Sequence, residues 1–368
     1  MKIDSISLRK NLHRIPELAF EEHKTKALLL SILLKMSGIR IHQFETNTGI
    51  LVEYSHGEGS YKLFRADMDA LPIAEKTGCS FSSLHPGIMH ACGHDMHMAI
   101  LMGLISQIVS EKPQKNLLFL FQPAEEGKGG AEAVLKEGIV QTFPIESVYA
   151  LHVSGKLPVG TVSAKAGIFF AIPQEFDVQF IGKAAHAAFP ADGRNALDAG
   201  VDFYAQMQAQ TAELSHAERL IFHVGTMESG SIRNIVPDRC VLEGTHRTLT
   251  RDMSERLNTL LLNTAKAVAQ SHSLDYKVDF LCSYDPVIND KALYEKLGTV
   301  CAEMNVKCLE SGVFMTGEDF GFFTTRYPGL LFWLGASSNN QDLHSDVFLP
   351  DDKCIKLGID IFERIALS

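Results

Sequence analysis

Leu117-Leu118-Phe119-Leu120-Phe121-Gln122-Pro123-Ala124-Glu125-Glu126-Gly127 is the stretch on which the reading of the fold turns. Five successive apolar residues read as a buried strand, and a turn carrying two adjacent carboxylates follows at once. The same arrangement recurs along the chain. The apolar run 62–66 leads into Arg65-Ala66-Asp67-Met68-Asp69-Ala70-Leu71-Pro72, Ser147-Val148-Tyr149-Ala150-Leu151 closes on His152, and the run 330–335 is followed by a polar loop holding His344. Polar, ligand-type residues at the ends of strands are what a parallel α/β sheet presents to its ligands.

Outward from these runs, strands alternate with helices. A helical N-terminal region is interrupted near Pro16 and resumes over 21–36, and strands are expected at 39–44, 49–54 and 62–66. A helix over 95–109, a strand at 117–121, a helix over 129–137 and a strand at 147–153 continue the alternation, which predicts a largely parallel sheet. Around Gly167 the texture changes. Strand 175–181, helix 194–213, strand 219–225, strand 239–247, helix 251–272 and strand 275–281 form two strand-helix-strand halves, the pattern of a small α+β sandwich of ferredoxin-like type. Helices over 290–303 and 317–326, a strand at 330–335 and a terminal helix over 351–366 return to the α/β pattern. The expected organisation is a mostly parallel α/β domain over 1–168 and 281–368, with a smaller α+β domain inserted over 169–280.

A chain of 368 residues is long for one core, which agrees with two domains. The net charge of −10 and pI near 5.8 give no long-range attraction to nucleic acid or an anionic membrane surface, so a small-molecule partner is expected. The start of the chain lacks the apolar core of a signal peptide, and no apolar run approaches the roughly 18 residues of a membrane span. These features place the protein in the cytoplasm. Seven scattered cysteines fit reduced thiols, and only Cys92 stands among other ligand types.

Ligand types are densest in Ile88-Met89-His90-Ala91-Cys92-Gly93-His94-Asp95-Met96-His97. Cys92 and His94 are two residues apart and can reach one metal or two adjacent ones from an extended loop. Thiolate with imidazole suits zinc, while imidazole with carboxylate also suits manganese or cobalt. His90 and His97 stand next to this pair, with His97 expected on the helix. Asp67, Asp69 and Asp95 are candidates for carboxylates that orient a ligating histidine by accepting its free ring N–H, and Asp95 could equally cap the helix it opens. The turn after Phe121 sends its adjacent carboxylates to different sides, so one can bind metal while its neighbour faces a substrate. That division of labour suits metal-assisted hydrolysis, in which a non-ligating Glu takes a proton from activated water. In the inserted region, His186 lies in a small-residue loop that allows close approach. Arg233 and Asn234 in Ser231-Ile232-Arg233-Asn234-Ile235-Val236-Pro237, and Arg247 in Gly244-Thr245-His246-Arg247, offer groups suited to gripping a carboxylate.

These runs together resemble the M20 metallopeptidase family in its amidohydrolase branch, from about Leu8 to the last helix. That branch holds N-acetyldiaminopimelate deacetylases, hippurate and N-acyl-amino-acid hydrolases, and auxin-conjugate hydrolases. Phe121 to Gly127, Met315-Thr316-Gly317-Glu318-Asp319-Phe320-Gly321 and Phe332-Trp333-Leu334-Gly335 resemble the first of these most. The resemblance implies two divalent metal ions (manganese, zinc or cobalt) held by Cys92, His94, Glu126, His152 and His344, with Glu125 as general base. Where the wider family has a His-x-Asp pair this chain has Asp67-Met68-Asp69, and Asp67, ahead of Asp69, is expected to support the base. His186 matches a histidine that family members contribute from the smaller domain, commonly across a dimer interface, so a homodimer or higher homo-oligomer is implied. The expected activity is hydrolysis of the N-acetyl amide of N-acetyl-L,L-diaminopimelate. The rival substrates are other N-acyl amino acids or hippurate, and a non-catalytic metal-binding protein is a remote alternative.

Overall fold

The computed structural model describes residues 3–337 and 339–368. The chain divides into two compact units. One comprises the residues up to Phe169 with Val287–Val313 and Asp319–Ser368, and the other comprises Phe170–Pro286 with Phe314–Glu318.

The first unit is built on an eight-stranded sheet, in the order Arg40–Gln43, Ile50–Tyr54, Leu117–Gln122, Tyr61–Asp67, Ile145–Ser154, Gly329–Gly335, Thr161–Ala164, Lys307–Glu310. Its four central strands, Leu117–Gln122 to Gly329–Gly335, run parallel, and the antiparallel pairings lie to either side of them. Leu117–Gln122 and Tyr61–Asp67 are buried along their whole length, as strands covered on both faces must be. Lys62 is tolerated there because its Nζ donates to carbonyls at the end of the terminal helix, Ile365 at 3.0 Å and Ser368 at 2.6 Å. The helix His94–Glu111 is apolar around nearly its whole circumference and is correspondingly buried through most of its 18 residues. It shares one core with the terminal helix Lys353–Leu367 and the first helix Ser5–His13.

Parallel strands bring their carboxyl ends to one edge. Asp67, the Gln122-to-Glu126 turn, His152 and the loop after Gly335 therefore converge although up to 277 residues separate Asp67 from His344. Two short strands that the sequence does not announce, Thr161–Ala164 and Lys307–Glu310, extend the sheet. The helix expected over 317–326 is one turn, Gly321–Thr324. Asp319 is drawn fully into the core by Arg65 and Gln122, and that contact holds the preceding residues out of a helix.

The second unit has a four-stranded antiparallel sheet in the order Ile221–Ser229, Arg239–Thr248, Ile172–Ile181, Asp275–Ser283. With the helices Ala196–Leu214 and Arg251–Ser271 it forms a βαββαβ arrangement of ferredoxin-like order. Phe176, Val178 and Phe180 alternate into a core shared with both helices, while Glu175, Asp177 and Gln179 face away from it. Among the described residues, no helix is long and apolar enough to cross a membrane.

Candidate functional site

Gly93 sets the geometry of the metal-type stretch. It adopts φ +87 as the N-cap of the central helix, and a Cβ there would meet Val153 Cγ2 at 2.4 Å. A left-handed residue with no side chain turns the chain sharply between Cys92 and His94 and lets the loop lie against the strand carrying His152. His94 becomes the first residue of the helix.

The ring nitrogens are sorted by their partners. Nδ1 of His94 lies 2.9 Å from the carbonyl oxygen of Asp69, to which it donates, and its Nε2 is buried without a hydrogen-bond partner. Nδ1 of His152 donates to the Val153 carbonyl at 2.9 Å, which turns Nε2 toward Cys92 Sγ at 3.3 Å. Trp333, its register partner on the neighbouring strand, packs edge-on against the His152 ring at 5.1 Å. His344 adopts φ +62 in a loop tied to the metal-type stretch by its own N–H to the Ala91 carbonyl, and its Nε2 stands 3.1 Å from Glu126 Oε1.

Ligand atoms within 4.8 Å of one another group Cys92 with Glu126 and His344, His94 with Glu125 and Glu126, and His94 with Asp67, His97 and His152. All five residues expected as metal ligands thus belong to one connected set. Soft, borderline and hard donors side by side suit divalent zinc, manganese or cobalt alike, and the unpartnered Nε2 of His94 is an atom a cation would bind.

The electrostatics agree. Burial opposes charge on His94, yet Asp67 and Asp69 beside it push its pKa up to about 10. A cation at Nε2 would take the place of that proton. Burial, with Glu126, Glu125 and Asp67 nearby, holds the Cys92 thiol well above its ordinary range, and burial holds His152 neutral. Glu126 resists its own burial because His344 and His94 keep it ionised.

Asp67 and Asp69 divide in a way that spacing does not reveal. Asp69 accepts the backbone N–H groups of Glu125 at 3.1 Å and Glu126 at 2.9 Å, so it is the carboxylate that fixes the Glu-Glu turn. Asp67 turns instead to Arg65 at 2.7 Å and to His97 at 2.5 Å. Arg65 in turn meets Asp319 at 2.8 Å and Gln122 at 2.9 Å. Asp95, read as an orienting or capping carboxylate, does neither here. It pairs with Arg9 and His13, each at 2.8 Å, and Gly93 is the cap. His90 is buried with both ring nitrogens unpartnered, and burial lowers its pKa to about 4.

Glu22 was not anticipated. It is fully buried and accepts from Ala124 N–H at 2.9 Å, from Phe20 N–H at 3.0 Å and from the Thr48 hydroxyl. It thereby braces Ala124, which holds φ +56 immediately before Glu125.

In the second unit, His186 lies on the short strand Ala185–His186, paired with Ile235–Val236 next to Arg233 and Asn234. The Ala188 N–H donates to its Nδ1 at 3.1 Å, so Nε2 carries the proton and is exposed to donate it. Arg247 is not gathered with these residues. It sits at the other end of the strand Arg239–Thr248, held by the Met315 carbonyl at 3.4 Å. At about 3.3 Å per residue, that places it roughly 26 Å along the strand from Arg239.

Comparison with known proteins gives the family. The family model described as Peptidase family M20/M25/M40 matches residues 63–368. The chain belongs to this family. As an M20 chain it is 36% identical over 359 residues to an N-acetyldiaminopimelate deacetylase of Shouchella clausii, covering 97% of this chain and 96% of that one. It is 37% identical over 366 residues to an N-acetyldiaminopimelate deacetylase of Bacillus subtilis, covering 98% and 97%. Among solved structures, the Bacillus subtilis YXEP protein, described as a dinuclear metal binding peptidase from the M20 family, superposes with a TM-score of 0.85 at 25% identity, covering 99% of this chain and 96% of that one.

Proposed function

We propose that the chain is a metal-dependent amidohydrolase that cleaves the acetyl group from N-acetyl-L,L-diaminopimelate, giving acetate and L,L-diaminopimelate. The observation that carries the chemistry is the connected donor set Cys92, His94, Glu126, His152 and His344 beside a second carboxylate, Glu125. The substrate is the one named for relatives of 36–37% identity along nearly the whole chain. The same donor set is our ligand assignment for two divalent ions, which when bound would polarise the scissile carbonyl and acidify water.

Glu125 takes a proton from the attacking water and passes it to the leaving amine. Asp69 serves as its support, because it anchors the N–H groups of Glu125 and Glu126 and so keeps the base and its ligating neighbour on separate sides of the turn. Asp67 keeps Arg65 and His97 in place behind the donors. The Nε2–H of His186 donates to the oxyanion that forms at the attacked carbonyl, and Arg233, Asn234 and Arg247 receive substrate carboxylates. His186 lies on the separate two-stranded ladder that precedes Arg239, and Arg247 lies at the far end of the strand Arg239–Thr248, a separation longer than a small substrate, so we assign them to one substrate only through two copies of the chain. Leu197, Val201 and Tyr204 form an exposed apolar stripe at i, i+4 and i+7 on the helix Ala196–Leu214, a surface suited to such self-association.

The test is acetate release by protein reloaded with manganese, zinc or cobalt, from N-acetyl-L,L-diaminopimelate beside N-acetyl-methionine and hippurate. The expected result is a kcat/KM for the first at least about tenfold above the others, with Glu125→Gln binding metal normally and losing about 100-fold or more in kcat. Preference for hippurate would discard the substrate and keep the chemistry. Full turnover by Glu125→Gln would discard Glu125 as the base.

A further inference from the structure

His97 takes no part in the proposed chemistry, and its hydrogen bonds define a different role. The parallel ladder between Tyr61–Asp67 and Ile145–Ser154 ends at the pair Arg65 and Ala150. Asp67 and His152 each lie two residues beyond that last pair, at the ends of the strands that carry the site. His97, reaching in from the first turn of the helix His94–Glu111, joins the two strands there. Its Nε2 accepts the Val153 N–H at 2.9 Å and its Nδ1 lies 2.5 Å from Asp67 Oδ1.

A backbone N–H can only donate, so Nε2 is the bare nitrogen and Nδ1 carries the proton that goes to Asp67. Both nitrogens are committed. If Nε2 were to bind a metal, the Val153 N–H would lose its partner, and if Nδ1 were to do so, the fully buried Asp67 would be left with Arg65 alone to satisfy both its oxygens. The same ring meets His152 edge-on, with centroids 4.6 Å apart at 71°, and lies 5.4 Å from the His94 ring. It therefore also fixes the lateral position of two imidazoles whose remaining nitrogens point into the donor set.

We propose that His97 is a positioning residue, a side-chain rung that takes over where the backbone ladder stops and sets the spacing of Asp67 and His152. It is not a ligand, although it stands in one cluster with Asp67, His94 and His152. The role rests on the assignment of His94 and His152 as metal ligands. Sequence alone does not distinguish the two possibilities, because a histidine one helical turn from His94 is equally well placed for either.

The side-chain amide of His97→Gln offers an N–H to Asp67 and a carbonyl to the Val153 N–H, whereas His97→Leu keeps bulk and offers neither. Zinc is titrated calorimetrically into metal-free wild-type, His97→Gln and His97→Leu proteins, with the stoichiometry checked by elemental analysis and the fold by circular dichroism. Removal of a hydrogen-bonded support behind metal ligands weakens metal affinity about 10- to 100-fold, so His97→Leu is expected in that range and His97→Gln within about threefold of wild type. With cobalt in place of zinc, the absorption bands of His97→Gln match those of wild type.

Loss of one ion from His97→Gln while wild type binds two would make His97 a ligand and overturn the role, whether or not His97→Leu folds. Wild-type affinity in a folded His97→Leu protein would overturn it as well. A wild-type chain that takes up no metal would remove the ligand assignment itself together with the role built on it.

Discussion

Glu22 shows how a single buried carboxylate couples the site to pH. Burial pushes it up to about 7, opposed by the Thr48 hydrogen bond and assisted by the charge of Asp69. In the unfolded chain its pKa is near 4.5. Between these values the folded state keeps a proton that the unfolded state releases, so this group's contribution to stability falls as pH rises through the window. Glu22→Gln preserves an acceptor for Ala124 N–H and removes the titration. Its stability relative to wild type, measured by urea unfolding, is expected to improve by up to about 3 kcal/mol between pH 4.5 and 7. A difference that stays constant with pH would show that Glu22 is ionised throughout. The residue was illegible in sequence because Glu21-Glu22 before a helical run reads as ordinary first-turn acidity. Its burial depends on a turn 102 residues away. That Cys92, His94, Glu125, Glu126, His152 and His344 come together is legible in two ways: Cys92 and His94 stand in a dense run of ligand types, and the other four follow apolar strand runs. The split between Asp67 and Asp69 is not, since both sit at the end of one strand and only the neighbouring turn shows which of them faces Glu125.

Elements were read best where burial wrote a continuous apolar run. Leu117–Gln122, Ile145–Ser154 and Gly329–Gly335 fall within a few residues of their expected bounds. Thr161–Ala164 and Lys307–Glu310 are four residues each, one of them ending in charge, and carry no such run. Their strand character comes from pairing across the sheet rather than from local preference. The second unit shows the opposite relation, a strand retained against local electrostatics. Register places Glu243 and Asp279 directly opposite Asp177 on its two neighbours. Burial, with Glu243 and Asp279 close by, raises the Asp177 pKa against the opposing charge of Lys277, which pairs with Asp279 at 2.6 Å. Like charges directly opposite cost about 0.2–1 kcal/mol per pair. Asp177→Asn removes both repulsions, and its melting midpoint at pH 7 is expected to rise by about 1 °C or more. The gain should shrink in high salt, where screening already weakens the repulsion. An unchanged or lowered midpoint at low salt would mean that the row is compensated by contacts the carboxylate itself makes.

At the scale of the whole molecule, each unit owns a separate hydrophobic core, and every proposed metal ligand belongs to the first. Metal binding and stability are therefore linked unevenly along one chain. The first unit concentrates Asp67, Asp69, Glu125 and Glu126 around a buried thiol, and protonated His94 together with Arg65, paired to Asp67, offsets part of that charge. A divalent ion supplies the missing positive charge only when that unit is folded. By linkage, each ion at 100 times its dissociation constant adds about 2.7 kcal/mol, and for a unit of this size 1 kcal/mol moves the midpoint by about 2–4 °C. Two ions should raise the transition of the first unit by an amount of the order of 10 °C. Scanning calorimetry of metal-stripped and zinc-loaded protein should resolve this as one transition that moves and one, belonging to the βαββαβ unit, that stays. The moving transition should carry the larger enthalpy, because the first unit is the larger part of the chain. Equal displacement of the whole profile would show that the two cores unfold together, and an unmoved profile would show that the donor set is not a metal site.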